Sequence, residues 1–408
     1  MSNRAAMSAL PLALLLAVTA CGQFSDQRAP KLLATPVSCE AMAGRTLNAD
    51  QISLPTSGAR VTDARIVAAS GSGAATRPEH CLLSGEIAPV DPSAPAIHFR
   101  IALPVAWNTK VLMLGGGGLD GIVPDVVGNI SAGPIDRPLP IARGYAVFGS
   151  DSGHQAGPLA SLDASFGIND EALNNYNSGD ALKKTRDVGI ALVEAHYGSK
   201  PTRAYFSGGS TGGREALTAI QRWPEDWDGA IAWYPARAGM VSILGGHRMN
   251  RALAQPGAYP NAAKREALFN AAMQACDGLD GIVDGLISHQ DRCNAIFDPS
   301  TAQLDGQPLR CPGGTDTGDR CLSDAQITAM KVINTPTNFN YLASGENQHP
   351  GYNIWGADTG IYTRTVPIQG IVNFLALNRT APTLPMPADA PYISIYTDQW
   401  IKYHVTRD

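Results

Sequence analysis

The stretch AYFSGGSTGGREALTAIQRW, from Ala204 to Trp223, restricts what this chain can become more than any other part of it. Ala204, Tyr205 and Phe206 are an apolar, aromatic run suited to a short buried strand, glycines interrupt it, and a helical period resumes from Arg214 to Trp223. This order predicts strand, sharp turn and helix. Within the turn, Gly208-Gly209-Ser210-Thr211-Gly212 has the form G-x-S-x-G. A serine raised on so tight a turn leaves no room for side chains two positions before or after it, and Gly208, Gly212 and Gly213 meet that demand. The free N–H groups at the start of the helix, that of Thr211 first, face such a serine and can hold a developing negative charge. Ser210 is therefore the candidate nucleophile. The alternative is a plain glycine-serine loop, and the strand before it and the helix after it favour the catalytic turn.

With 408 residues, 44% hydrophobic and 16% charged, the chain can bury one large domain with an insertion, or two domains. A net charge of -5 offers no basic field, which argues against nucleic acid as a partner. The first 22 residues carry one positive charge at Arg4, an apolar stretch from Ala9 to Val18, and small residues before Cys21. They read as an export signal, too short to span a membrane. Val18-Thr19-Ala20-Cys21 resembles a bacterial lipobox, which implies cleavage before Cys21, lipid on its sulfur, and a periplasmic or outer-membrane lipoprotein. An ordinary signal peptide and secretion are the alternative. Either route leads to an oxidising compartment, and Cys39, Cys81, Cys276, Cys293, Cys311 and Cys321 then suit a structural disulfide framework.

In chain order, strand-like segments fall at Ala64–Val67, Cys81–Ile87, Ile97–Leu103 and Lys110–Leu114. The last runs into Gly115-Gly116-Gly117-Gly118. This run lacks the dinucleotide frame and the Walker lysine, and Gly116 or Gly117 is instead placed to give a second oxyanion N–H. Gly144–Gly149 reads as another strand leading to His154, taken as a structural hydrogen-bonding residue. Ser178 to Tyr197 has helical spacing, with Ser178 as cap and Gly198 as stop. Gly229–Trp233 follows as a further strand. This β-α alternation predicts a parallel sheet flanked by helices.

From about Arg237 the sequence turns irregular and rich in Pro, Gly and Asn. The expected division is a leader over 1–21, a catalytic core over 22–236 and a lid over 237–408. Inside the lid, Asp277, Asp280 and Asp284 alternate with glycines on one short loop, which suits calcium, although the EF-hand frame is absent. A solvated Asp-Gly turn is the alternative. Cys276 and Cys293 bracket this loop, and Cys311 and Cys321 suit a small local one.

FSGGSTGGREAL followed by WPEDWDGAIAW, with GGGGLDG and RGYAVFGSDSGHQ before them and CDGLDGIVDGLIS after, resembles the tannase and feruloyl esterase family of serine esterases. The likeness runs from about Cys39 to the last residue. It implies an α/β-hydrolase core whose large inserted lid covers the site and holds a structural calcium ion (Ca2+). It also implies Ser210 as nucleophile and an oxyanion hole from the N–H groups of Thr211 and of Gly116 or Gly117. Calcium would be held by the carboxylates of Asp277, Asp280 and Asp284 and the carbonyls of Ile282 and Leu286. The implied disulfides are Cys39–Cys81, Cys276–Cys293 and Cys311–Cys321.

Two departures from the family stand out. The residue before the nucleophile is usually a cysteine bonded to another beside the catalytic histidine, and here it is Gly209. The catalytic aspartate and histidine follow the lid in the order Ser, Asp, His, which places them and the last core strands beyond Asp408. His247, His289, His349 and His404 all lie in lid-like sequence, His404 being the nearest to a candidate base. The expectation is a C-terminally incomplete esterase of little activity. The function expected of the family is hydrolysis of small aromatic esters, feruloyl, galloyl or related phenolic ones. The alternatives are an inactive relative that only binds aromatic ligands, and a peptidase or lipase, which the serine turn alone supports.

Overall fold

The computed structural model describes residues 35–237, 239–343, 345–353, 355, 377 and 380–407; the leader and Cys21 lie outside the described residues. One eight-stranded sheet organises the first half. Strands β1 (Thr46–Leu47), β2 (Gly58–Val67), β3 (His80–Ala88) and β4 (Ile97–Pro104) run antiparallel. Strand β4 then meets β6 (Ala146–Ser150), again antiparallel, and β6, β5 (Lys110–Leu114), β7 (Arg203–Gly209) and β8 (Gly229–Trp233) lie parallel in that order. The sheet is thus mixed, where the sequence predicted a parallel one. Short connections join β1 to β4 and return them antiparallel, β5 reaches its parallel neighbour β6 through a long loop with one 3-10 turn (Ile141–Arg143), and helical crossovers bridge β6 to β7 and β7 to β8.

Those crossovers are α1 (Asp170–Asn177) and α2 (Asp180–Tyr197) between β6 and β7, and α3 (Thr211–Arg222) between β7 and β8. Helix α2 buries Leu182, Val188, Leu192 and Val193 in the core that also holds Phe99, Phe148 and Phe206. Each such side chain contributes about 1.5–3 kcal/mol relative to exposure. Ser178 does not cap α2 as predicted. It ends α1, and Gly179, left-handed at φ 75°, begins α2. Gly198, also left-handed, stops α2 as expected.

After residue 237 the expected irregularity is replaced by helices. These are α4 (Gly239–Leu253), α5 (Ala262–Cys276), α6 (Gln290–Ile296), α7 (Asp324–Asn334) and α8 (Tyr392–Trp400). Sequence periodicity hid them because α4 carries Gly245 and Gly246 inside it, and α5 is alanine-rich with no clean apolar face. Their starts are capped: Asn261 accepts from the Lys264 N–H, and Ser323 forms a capping box with Gln326. Met249, Leu268, Phe297, Leu309, Leu322 and Met330 form a second core, separate from that of the sheet. Beyond α8 a π-helical turn over Ile401–Thr406 brings the chain back to the first half, where Arg407 pairs with Asp170 at 2.8 Å.

Three disulfides join Cys39 to Cys81, Cys276 to Cys293 and Cys311 to Cys321, the pairing the family resemblance implies. The first closes 42 residues and ties the lead-in segment to β3. On chain-entropy grounds a loop of that length stabilises by about 4 kcal/mol. A Cys39→Ala/Cys81→Ala variant should lose roughly that much in urea denaturation, and an unchanged midpoint would show that strand pairing alone holds the segment.

Candidate active site

Strands β6, β5 and β7 are parallel neighbours, so their C-terminal ends open side by side, the usual place for a ligand in such a sheet. At the end of β7, Ser210 is exposed and has φ 55° and ψ -120°, a backbone state that side-chain-bearing residues rarely adopt. It is held there from both sides. Its N–H donates to the Trp233 carbonyl at 3.1 Å, and its own carbonyl accepts from Arg214 and Ala236. A Cβ on Gly208 would stand 2.4 Å from the backbone of Gly212, and one on Gly212 would stand 2.7 Å from the Gly116 carbonyl. Only glycine fits at either place.

The glycine run after β5 is laced to this turn. Gly115 N–H donates to Ser207 at 3.0 Å, Gly212 N–H to Gly116 at 3.1 Å, and the Thr211 hydroxyl and Tyr176 hydroxyl both donate to the Gly118 carbonyl. Of the two glycines named for an oxyanion hole, Gly116 gives its N–H to Glu215 Oε2 at 3.2 Å. Among the described residues the N–H groups of Gly117 and Thr211 have no acceptor, and nothing lies within 4 Å of where a Gly117 Cβ would be. Gly209 lies beneath Tyr234, whose hydroxyl would be 2.7 Å from a Cβ at that position, so a tyrosine ring covers the place where the family carries cysteine.

Behind the glycine run is a buried polar group that sequence reading passed over. Ser152 Oγ lies 2.7 Å from Asp120 Oδ2 and 2.7 Å from Glu215 Oε1. Arg214, set 4.4 Å over the Tyr176 ring, is the neighbouring cation. Burial, and then the charge of Glu215, push the Asp120 carboxyl well above the usual carboxylate range. The signal was present in the sequence: Arg214-Glu215 stands in the first turn of a helix that opens with three small residues, where little solvent reaches.

The histidines are placed elsewhere. His154 is a buried structural residue: its ring stacks on Phe166 with centroids 3.5 Å apart and lies against the Leu119 backbone. His404 meets the same Phe166 edge-on at 5.0 Å and lies 4.2 Å from Trp400. His247 and His289 are exposed, and His349 Nδ1 accepts from Gly351 N–H. Among the described residues none of these imidazoles is hydrogen-bonded to Ser210.

In the acidic loop, Asp277 accepts from the N–H groups of Asp284 and Gly285, Asp280 from Ile282, and Asp284 from Leu286. The hard-oxygen chemistry fits calcium. The carboxylates themselves are turned onto backbone donors, and among the described residues no three metal-ligating side chains converge.

A mixed sheet with flanking helices and a strained serine between β7 and α3 defines an α/β-hydrolase-type fold. The chain belongs to the tannase and feruloyl esterase family, whose model matches residues 81–390. An uncharacterized esterase of Agrobacterium fabrum is 42% identical over 77% of this chain and 56% of its own length. The mono(2-hydroxyethyl) terephthalate hydrolase of Piscinibacter sakaiensis is 33% identical over 81% of this chain and 56% of its own. The chain thus spans a little over half the length of these relatives. Among solved structures, feruloyl esterase B from Aspergillus oryzae shares the fold with a TM-score of 0.60 at 21% identity, covering 87% of this chain and 63% of that one.

The buried imidazoles predict an acid-sensitive fold. Burial lowers His154 from 6.5 to about 3 and His404 from 6.5 to about 4, with neighbouring backbone groups pulling weakly the other way. Unfolded chains take up these protons first, so the stability is whole above pH 6.5 and is lost as pH falls through about 4 and then 3. Thermal melting should drop across that window by a stability loss on the order of 1–3 kcal/mol, and the slope should flatten in His404→Phe. Equal slopes would remove the imidazole from the account.

Proposed function

We propose that this chain carries out carboxylic ester hydrolysis on aromatic esters through an acyl-enzyme at Ser210. The observation that carries this is the strained, exposed Ser210 on a turn bonded to the glycine run, with two backbone donors beside it, Thr211 N–H and Gly117 N–H, that no acceptor claims among the described residues. Ser210 Oγ attacks the ester carbonyl as its proton passes to a base, and the carbonyl electrons move onto the oxygen that these two donors hold. Collapse of that intermediate expels the alcohol, and water repeats the sequence to free the acid. Family membership supports ester hydrolysis, and the names of relatives, a terephthalate monoester hydrolase and feruloyl esterases, support an aromatic acyl group. Tyr234, exposed beside Gly209, adds an aromatic face next to the serine.

A fluorophosphonate should label Ser210, and Ser210→Ala should abolish both labelling and turnover of methyl ferulate. A loss of at least about a thousandfold is expected for a missing nucleophile. Absent labelling in the unaltered protein would favour a binding protein for aromatic ligands, and labelling that survives the substitution would remove Ser210 from the role.

We further propose that the loop from Asp277 to Leu286 takes a structural calcium ion, with Asp277, Asp280 and Asp284 supplying charge. Binding to the folded state alone stabilises by mass action, about 2.7 kcal/mol at a hundredfold excess over Kd. Chelation should lower the melting temperature, and Asp280→Ala should erase that response; a melting curve indifferent to chelator would leave a solvated turn. We also propose export: three disulfides fit an oxidising compartment, and Cys21 would carry the lipid.

A further inference from the structure

The buried group behind the glycine run has too few protons if both carboxyls are ionised. Asp120, Ser152 and Glu215 are 2%, 2% and 3% exposed, and Ser152 Oγ makes a 2.7 Å contact to an oxygen of each acid. A hydroxyl has one hydrogen to donate. It satisfies one contact, and the other, equally short, requires a hydrogen on the carboxyl. The charge balance agrees. The charged or titratable groups facing Asp120 are Glu215, Arg214, Tyr176, Tyr392 and Tyr396, and Arg214 is the one cation in that set. One guanidinium offsets one carboxylate, and two buried carboxylates side by side do not both ionise without a second cation.

We propose that Asp120 and Glu215, which touch each other directly and both meet Ser152, share a single proton within this group, and that the pair positions the Gly116–Gly118 backbone so that the Gly117 N–H stays free beside the Ser210 turn. The role rests on the reading of Ser210 given above. Its geometry is a clamp on both ends of a short loop. Glu215 Oε2 takes the Gly116 N–H at 3.2 Å, the main-chain N–H of Asp120 closes the other end onto the Gly117 carbonyl at 2.9 Å, and the Asp120 carboxyl acts on the loop through Ser152 and Glu215. With Gly116 so engaged, Gly117 has the free donor. The clamp also holds strained backbone: Asp120 has φ 55° and Ser152 φ 64°, both in the left-handed region beside the equally strained Ser210. Asp120 and Glu215 are positioning residues, since they reach the reacting atoms only through the loop.

The test uses amides as stand-ins for the half-protonated pair. In Glu215→Gln the amide oxygen keeps the Gly116 N–H and its NH2 replaces the shared proton, and Asp120→Asn does the same from the other side. Infrared spectra of the full chain at about pH 8, where Asp151, raised to about 6 by burial, is ionised, should show the carbonyl band of a buried protonated carboxyl. The band should be present also in Ser210→Ala and absent in each single amide variant. Fluorophosphonate labelling of Ser210 should fall less than about tenfold in each amide variant, and about a hundredfold or more in Glu215→Leu and in the double amide, the scale of losing one oxyanion donor. No band in the unaltered protein, or a band that persists in either amide variant, overturns the shared proton. Equal labelling in Glu215→Leu and Glu215→Gln overturns the positioning role. Labelling that survives Ser210→Ala overturns the reading of Ser210 and the positioning role with it, while the band still decides the shared proton.

Discussion

The site depends on how closely two backbones approach, at Gly115 and Gly212. A Cβ on Gly115 would stand 2.6 Å from the Gly212 Cα, closer than real Cβ atoms come to anything. This approach follows from the sheet, because β5 and β7 are paired and the Gly115 N–H continues their ladder onto Ser207. It brings the start of α3, with its unsatisfied N–H groups and positive end, against the glycine run. Each glycine so used weakens the fold by about 0.5–1 kcal/mol through its freedom in the unfolded chain. The core beneath, with Phe148 and Phe206 fully buried on strands flanking β5, offsets that loss.

A second polar cluster shows by contrast what is particular about the first. Lys183 pairs with Asp187 at 3.0 Å and Asp226 at 2.6 Å, and Arg186 meets Asp226 at 3.1 Å, so two cations face two carboxylates. That balance ties α2 to the segment after α3 and needs no shared proton. Beside the glycine run the count is one cation to two acids, and buried groups out of balance are where protonation departs from its solution pattern.

Much of this was legible in the sequence, and the rest was not for identifiable reasons. The turn at Ser210 could be read because its glycines answer a steric demand that no other residue meets. The strands from Lys110 to Leu114 and Gly229 to Trp233 were read to the residue, since unbroken apolar runs bounded by turns leave little choice. The antiparallel half was missed because pairing direction is decided by connection length and packing. The helices after residue 237 were missed because small residues inside α4 and α5 blur the apolar period. Asp120, Ser152 and Glu215 are far apart in sequence, and only the adjacency of β6, β5 and α3 brings them together. A charged residue read alone is presumed to face water, and burial reverses that.

The contact between Arg407 and Asp170 spans 237 positions of chain. Were the intervening residues unstructured, closing a loop of that length would cost about 5 kcal/mol in chain entropy, more than an exposed ion pair returns. The closure is affordable because the described part of the intervening segment carries a core of its own, in which Met330 and Leu268 are fully buried, so less of the span is free chain. Loop-closure entropy favours an order of assembly in which sheet and helical module gather local contacts first and the join at Arg407 comes late. The return of the chain to α1 is a latch set by shape already present at both ends.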